Sequence, residues 1–182
     1  KQIRVIGIRA FREDPLRMLR AVQFAARFEF TIEPKTMDQI KSSVNLIKTV
    51  SPERFQEEFR KMFEKGTPSV GVALLKETGI LKKLFPRARD SFPMEYDKLD
   101  KKGFPAFLAV LLRGHKSKDI QSVMKLSNED TNAVSDVLKY MAMRDVDSDL
   151  GLIRFVKSAS KRAVENVNYV LKAQRKIDID YR

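Results

Sequence analysis

The sequence holds 182 residues, enough to bury a real core as one domain or two small helical ones, and its 43% hydrophobic and 33% charged content, with only 7 Gly and 7 Pro, excludes a disordered or low-complexity chain. Cys is absent, which removes disulfides and thiolate metal sites and favours the cytoplasm, and no apolar run or leader pattern points to a membrane or to secretion. The net charge of +12 recurs along the chain instead of sitting in one tail; it favours a polyanion such as an RNA backbone, although a solubility surface would carry the same excess.

In chain order, KQIRVIGIRAF at residues 1–11 reads as a short strand over Ile3, Val5 and Ile6 with a turn at Gly7. That strand has no partner in this sequence, so it reads as the severed edge of a sheet lying upstream. Asp14-Pro15 then opens a long amphipathic helix, because Asp caps exposed N–H groups and Pro suits the first helical position. Leu16, Leu19, Val22, Phe24 and Ala26 form its apolar side, while Arg17, Arg20 and Arg27 place cations on a helix whose N-terminal dipole repels them. Such an arrangement suggests an anionic or base-like guest.

A second helix follows Pro34 over residues 35–47, with Met37, Ile40, Val44 and Ile47 inward. Ser51-Pro52-Glu53 begins another, with the apolar stripe Phe55, Phe59, Met62 and Phe63; Arg54 with Glu58, and Glu57 with Lys61, stand four apart as surface ion pairs. Residues 68–77 form a packing helix closed by Thr78-Gly79, then ILKKLFP gives a short apolar turn. After a connector, helices are expected over residues 104–113, 118–125, 127–143, 148–158 and 160–176, the last one basic and placed on RNA. His115, preceded by Gly114 and flanked by lysines, reads as a solvent-exposed turn residue. Asp145, Asp147 and Asp149 read as caps and solvated charge, not as a magnesium site. Aromatic residues are not interleaved with basic ones, so recognition by shape and phosphate contacts is expected over base stacking.

A helix start that offers a carboxylate and a guanidinium three residues apart can discriminate bases. C and A both present an exocyclic amino donor beside a ring-nitrogen acceptor, which Asp14 and Arg17 complement. U and G present a carbonyl and a ring N–H there, leaving buried groups unpaired at roughly 1–3 kcal/mol each. The same Asp-Pro is equally an ordinary helix start, and capping and base reading are compatible, since one carboxylate oxygen can cap while the other faces outward.

EDPLRMLRAVQFAARF at residues 13–28 resembles the nucleobase-reading motif of class II tRNA nucleotidyltransferases, which add CCA to tRNA, and of the related bacterial poly(A) polymerases. SPERFQEEFRKMF at residues 51–63 and PSVGVALLKETGILKKLFP at residues 68–86 resemble the next motif and the opening of the helical body, and KLSN at residues 125–128 is a fainter match. The resemblance implies an all-α fold of neck and body helices with a strand remnant: residues 1–12 linked to an upstream head, 13–65 the neck, 66–146 the body and 147–182 the start of a tail. It implies that Asp14 and Arg17 are the base-reading pair, Glu13 the acid before them, Arg20 a phosphate or base-side neighbour, and Arg54 with Glu58 the brace of the reading helix. Implied partners are CTP, ATP and the tRNA acceptor arm. Mg2+ belongs to the head, whose Gly-Ser turn and paired-Asp strand do not occur in this sequence, so no catalytic or metal residue is expected here and the chain alone should be inactive. Two departures stand out: Glu29 occupies a position usually Gly, and Gln23 one usually Arg. The alternatives are the RNA-binding part of a poly(A) polymerase, or a non-catalytic RNA-binding helical module.

Overall fold

The apolar stripe Leu16, Leu19, Val22 and Ala26 must find cover, and the computed structural model, which describes residues 1–7, 9–88, 96–143 and 148–175, places all four in a buried interface. The chain forms two units, Lys1–Ala88 with Ser122–Lys125, and Arg89–Gln121 with Leu126–Arg182. The first comprises β1 (Gln2–Ile3), α1 (Ala10–Glu13), α2 (Leu16–Phe28), β2 (Thr31–Ile32), α3 (Pro34–Ser43), a 3-10 helix (Val44–Thr49), α4 (Pro52–Lys65), α5 (Pro68–Glu77) and α6 (Ile80–Leu84). Helix α2 is its axis: it packs most extensively on α4 and next on α5. Phe55, Phe59, Met62 and Phe63 of α4 are all buried, as the stripe in the sequence requires.

Strand β1 corrects one expectation. It is not left unpaired but lies parallel to β2, Gln2 opposite Thr31 and Ile3 opposite Ile32. Thr31 N–H donates to Lys1 O at 3.1 Å and Glu33 N–H to Ile3 O at 3.0 Å. The chain can return because Glu29 ends α2 in the left-handed region, at φ 55°, with the N–H groups of Glu29 and Phe30 both donating to Ala25 O. A side chain there costs about 1 kcal/mol relative to Gly. Glu29→Gly should therefore raise stability by about that amount, read as a higher thermal midpoint; an unchanged midpoint would show that the strain is absorbed locally.

The second helix is shorter than expected, since α3 stops at Ser43 and tightens into the 3-10 helix, which still buries Ile47. Ser51 stands at the start of α4 without a side-chain cap to the backbone. Helix α5 has the expected bounds, and Gly79 at φ 77° makes the turn into α6, but Val70 on α5 is 39% exposed instead of lying in the core. At the far end of α4 the backbones nearly touch: Thr67 N–H donates to Ala26 O at 2.9 Å, and a Cβ on Gly66 would meet Met62 O at 2.7 Å and Ala26 C at 3.2 Å. Only glycine fits that crossing.

The second unit contains a 3-10 helix (Tyr96–Lys98), α7 (Phe104–Leu111), α9 (Asn128–Met141), α10 (Asp149–Ser158) and α11 (Lys161–Arg175); α8 (Ser117–Met124) begins in it and ends among residues of the first. Helix α7 is apolar on almost every side and correspondingly buried, with α9 packed on it and α11 packed on both. Ser127 and Ser148 cap α9 and α10, accepting from Asp130 N and Gly151 N at 3.0 Å each. His115 is a second correction. Gly114 at φ 107° does make a turn, yet His115 is only 9% exposed, with its backbone N–H on Leu112 O. Asp149 opens α10, while Asp145, Asp147 and the end of the last predicted helix at Lys176 lie outside the described residues.

Candidate nucleobase site at the start of α2

Pro15 already has helical dihedrals, φ −62° and ψ −21°, whereas Asp14 is extended at φ −143° and ψ 97°. Asp14 is thus the physical cap of α2, and its Oδ1 accepts from Leu16 N at 3.2 Å. The second oxygen does not face solvent unpaired: Oδ2 accepts from Arg54 Nη2 at 3.0 Å, across 40 positions of sequence. The expected Arg54–Glu58 pair therefore does not form. Glu58 is buried at 7% exposure and bonds Lys61 Nζ at 3.1 Å, and Lys61 also holds Glu57 at 2.7 Å as expected. The hydrogen bonds from Lys61 hold the Glu57 carboxyl below its ordinary range, and those of Glu57 and Glu58 push the Lys61 ammonium up.

Arg17 folds back along its own helix start. Its Nη1 donates to Ala10 O at 3.2 Å and to Glu13 Oε2 at 3.4 Å, with the Arg17 side chain 46% and the Glu13 side chain 65% exposed. Asp14 and Arg17 do not bond each other through their side chains; the backbone links them, Arg17 N–H to Asp14 O at 3.1 Å. What results is a carboxylate fixed on two donors and, one turn on, a guanidinium whose Nε and Nη2 have no partner among the described residues. Each carboxylate oxygen accepts about two hydrogen bonds, so Asp14 can still accept from an amino group while Arg17 donates to a ring nitrogen.

Arg17 and Arg20 also line a cleft of about 280 Å³ with Arg4, Phe11, Phe24 and Thr36. Asp14 and Glu13 stand outside that lining. On its rim Arg4 Nε pairs with Glu33 at 2.9 Å, a contact the sequence did not signal. Arg20 turns its guanidinium toward the Phe24 ring, 5.6 Å from the centroid. Below the site, Gln23 is 1% exposed and its Nε2 finds no acceptor among the described residues, so the side chain standing at the usual Arg position is buried without replacing a cation. Among the described residues no three Asp, Glu or His side chains converge as metal ligands would.

A braced carboxylate at a helix start beside guanidinium groups offers charge-assisted acceptors and donors for a polar or anionic ligand. Residues 29–91 match a family described as the probable RNA and SrmB-binding site of polymerase A. A CCA-adding enzyme from Blochmanniella pennsylvanica is 42% identical over 79 residues, 42% of this chain and 19% of its own length. A poly(A) polymerase I from Salmonella typhi is 38% identical over 86 residues, 46% of this chain and 18% of its own. The CCA-adding enzyme of Bacillus stearothermophilus in complex with CTP superposes with a TM-score of 0.72 at 25% identity, covering 97% of this chain and 47% of that one. The similarity to these CCA-adding enzymes and poly(A) polymerases thus extends over less than half of this chain and about a fifth of the relatives' own length. The helical fold of this chain is that of the CCA-adding enzyme over nearly the whole chain.

Proposed function

We propose that this chain is the base-selecting and tRNA-binding part of a tRNA nucleotidyltransferase that adds C and A to the tRNA 3′ end. The observation that carries the reading is the start of α2, where the Asp14 carboxylate is held by Leu16 N–H and Arg54 while Arg17, one turn on, keeps free donors. Asp14 accepts the amino proton of cytosine or adenine, Arg17 donates to the ring nitrogen, Glu13 restrains Arg17, and Arg20 neutralises phosphate. Residues 13–65 act as neck, 66–146 as body and 147–182 as the start of a tail, with residues 1–12 leading from a head. The basic helices meet the acceptor arm through its phosphates, as the +12 charge and the RNA-binding family match support. Phosphoryl transfer, with its magnesium, belongs to a catalytic domain outside this sequence, so the chain alone is inactive. No helix among the described residues is long and apolar enough to cross a membrane, and the cytoplasm, where tRNA is matured, is the proposed compartment.

The test is a fusion of this chain to a catalytic head of the matching family, followed by sequencing of the added nucleotides. Addition of C and A without U or G supports the reading; a run of A alone transfers it to the poly(A) polymerase alternative, which the match at residues 29–91 also favours. Tight RNA binding with no base choice would leave an RNA-binding module. In the same fusion Arg54→Ala should relax base choice with little change in melting temperature, because the pair is half exposed and worth at most about 1 kcal/mol in stability. A large melting shift would make Arg54 a structural residue.

A further inference from the structure

Strand β2 has two edges, and β1 covers one of them. Thr31 and Glu33 direct their N–H groups to Lys1 O and Ile3 O on β1. The N–H and C=O of Ile32, one residue along the pleat, therefore point to the opposite edge, which pairs with no strand among the described residues. A second cleft, of about 490 Å³, adjoins β2 on the side away from β1: Thr31 and Ile32 line it with residues of α3 and α5, whereas Ile3 belongs to the cleft beside Arg17. Ile32, Met37, Val70 and Leu74 give it apolar walls, and Val70 is exposed there. Its charged members are Asp38, Lys41 and Glu77. Lys41 Nζ meets Glu77 Oε1 at 3.4 Å, while the exposed Asp38 carboxylate has no partner among the described residues. On a chain of net charge +12 the cleft is thus a point of local acid excess.

We infer that this cleft docks an extended, basic segment of a protein partner. The segment adds a strand to the free edge of β2, seats an apolar side chain against Met37, Val70 and Leu74, and places a Lys or Arg on Asp38. Ile32 supplies the main-chain donor and acceptor for such an addition, and the groove beside it takes the alternate side chains. Pro34 ends the edge because it carries no N–H, so the added strand is short and side chains supply most of the affinity. A helical partner keeps its backbone bonds to itself and leaves the Ile32 edge unused. Nucleic acid does not suit the cleft, since its phosphates would approach two carboxylates with one lysine between them. A basic segment is repelled by the +12 surface as a whole and attracted at this point, which makes charge complementarity the source of specificity.

The probe is a short fluorescent peptide that alternates valine and lysine, titrated onto this chain and read by anisotropy. Two companions are the same peptide N-methylated on alternate residues, which cannot pair as a strand, and a version with glutamate in place of lysine. The valine–lysine peptide should bind, and each companion should bind about tenfold more weakly or worse. Asp38→Lys should reverse the preference between the lysine and glutamate peptides. Val70→Ser, at an exposed helix position, should weaken binding about tenfold at an unchanged melting temperature. No binding of the valine–lysine peptide, equal binding of its N-methylated form, or a charge preference untouched by Asp38→Lys would overturn the docking site. Loss of RNA hairpin affinity in Val70→Ser would also overturn it, by making the cleft part of an RNA surface. The proposed base-selecting role fails separately, by indifference of nucleotide choice to Arg17.

Discussion

Arg17→Ala, introduced into a fusion of this chain with a catalytic head, should raise incorporation of U and G relative to C and A by about ten- to a hundredfold. The magnitude follows from hydrogen bonding. With the guanidinium in place, a wrong base presents a ring N–H to another donor and leaves both buried and unpaired, at roughly 1–3 kcal/mol, and removing the donor removes that penalty. The variant should fold normally, because Arg17 gives up only one part-buried hydrogen bond to Ala10 O and one exposed contact to Glu13. Sequencing of added nucleotides checks the choice and a thermal melt checks the fold. Preserved choice in a well-folded variant would end the base-reading assignment.

Phe59→Ala should cost about 3–5 kcal/mol, the largest stability effect expected from one substitution in the first unit. Phe59 is 1% exposed, lies tilted against Phe55 with ring centroids 5.4 Å apart and belongs to the helix that covers α2 most extensively. Its removal leaves a cavity in the core of the first unit, where the tie of Thr67 N–H to Ala26 O limits collapse. Urea denaturation measures the loss. A cost below about 1 kcal/mol would show that the α2–α4 interface relaxes freely.

The helices were legible wherever local chemistry marks an end. Pro68 and Thr78-Gly79 bracket α5, Ser127 announces α9, and period-3.6 stripes place α2 and α4. What could not be read were pairings set by distance in space. The partner of β1 lies 29 residues away beyond a non-glycine left-handed turn, and nothing in KQIRVIG names it. Arg54 has an acid four positions on, so local spacing favoured Glu58, but the fold offers Asp14 first. His115 was hidden by its solvated lysine neighbours. At the candidate site, the cap by Asp14 was legible from Asp14-Pro15, while the restraint of Arg17 by Glu13 and the placing of Arg20 over the Phe24 ring required coordinates.

The two ties between α2 and α4 also fix direction. Asp14 meets Arg54 where both helices begin, and Ala26 meets Thr67 where both end, so the pair runs side by side with the same polarity. Their peptide dipoles consequently reinforce instead of cancelling, gathering two fractional positive poles at the end that holds Asp14 and Glu53. Lys125 bonds Glu53 there and keeps its carboxyl below the ordinary range, so that acid persists as an anion under mild acidity beside those poles.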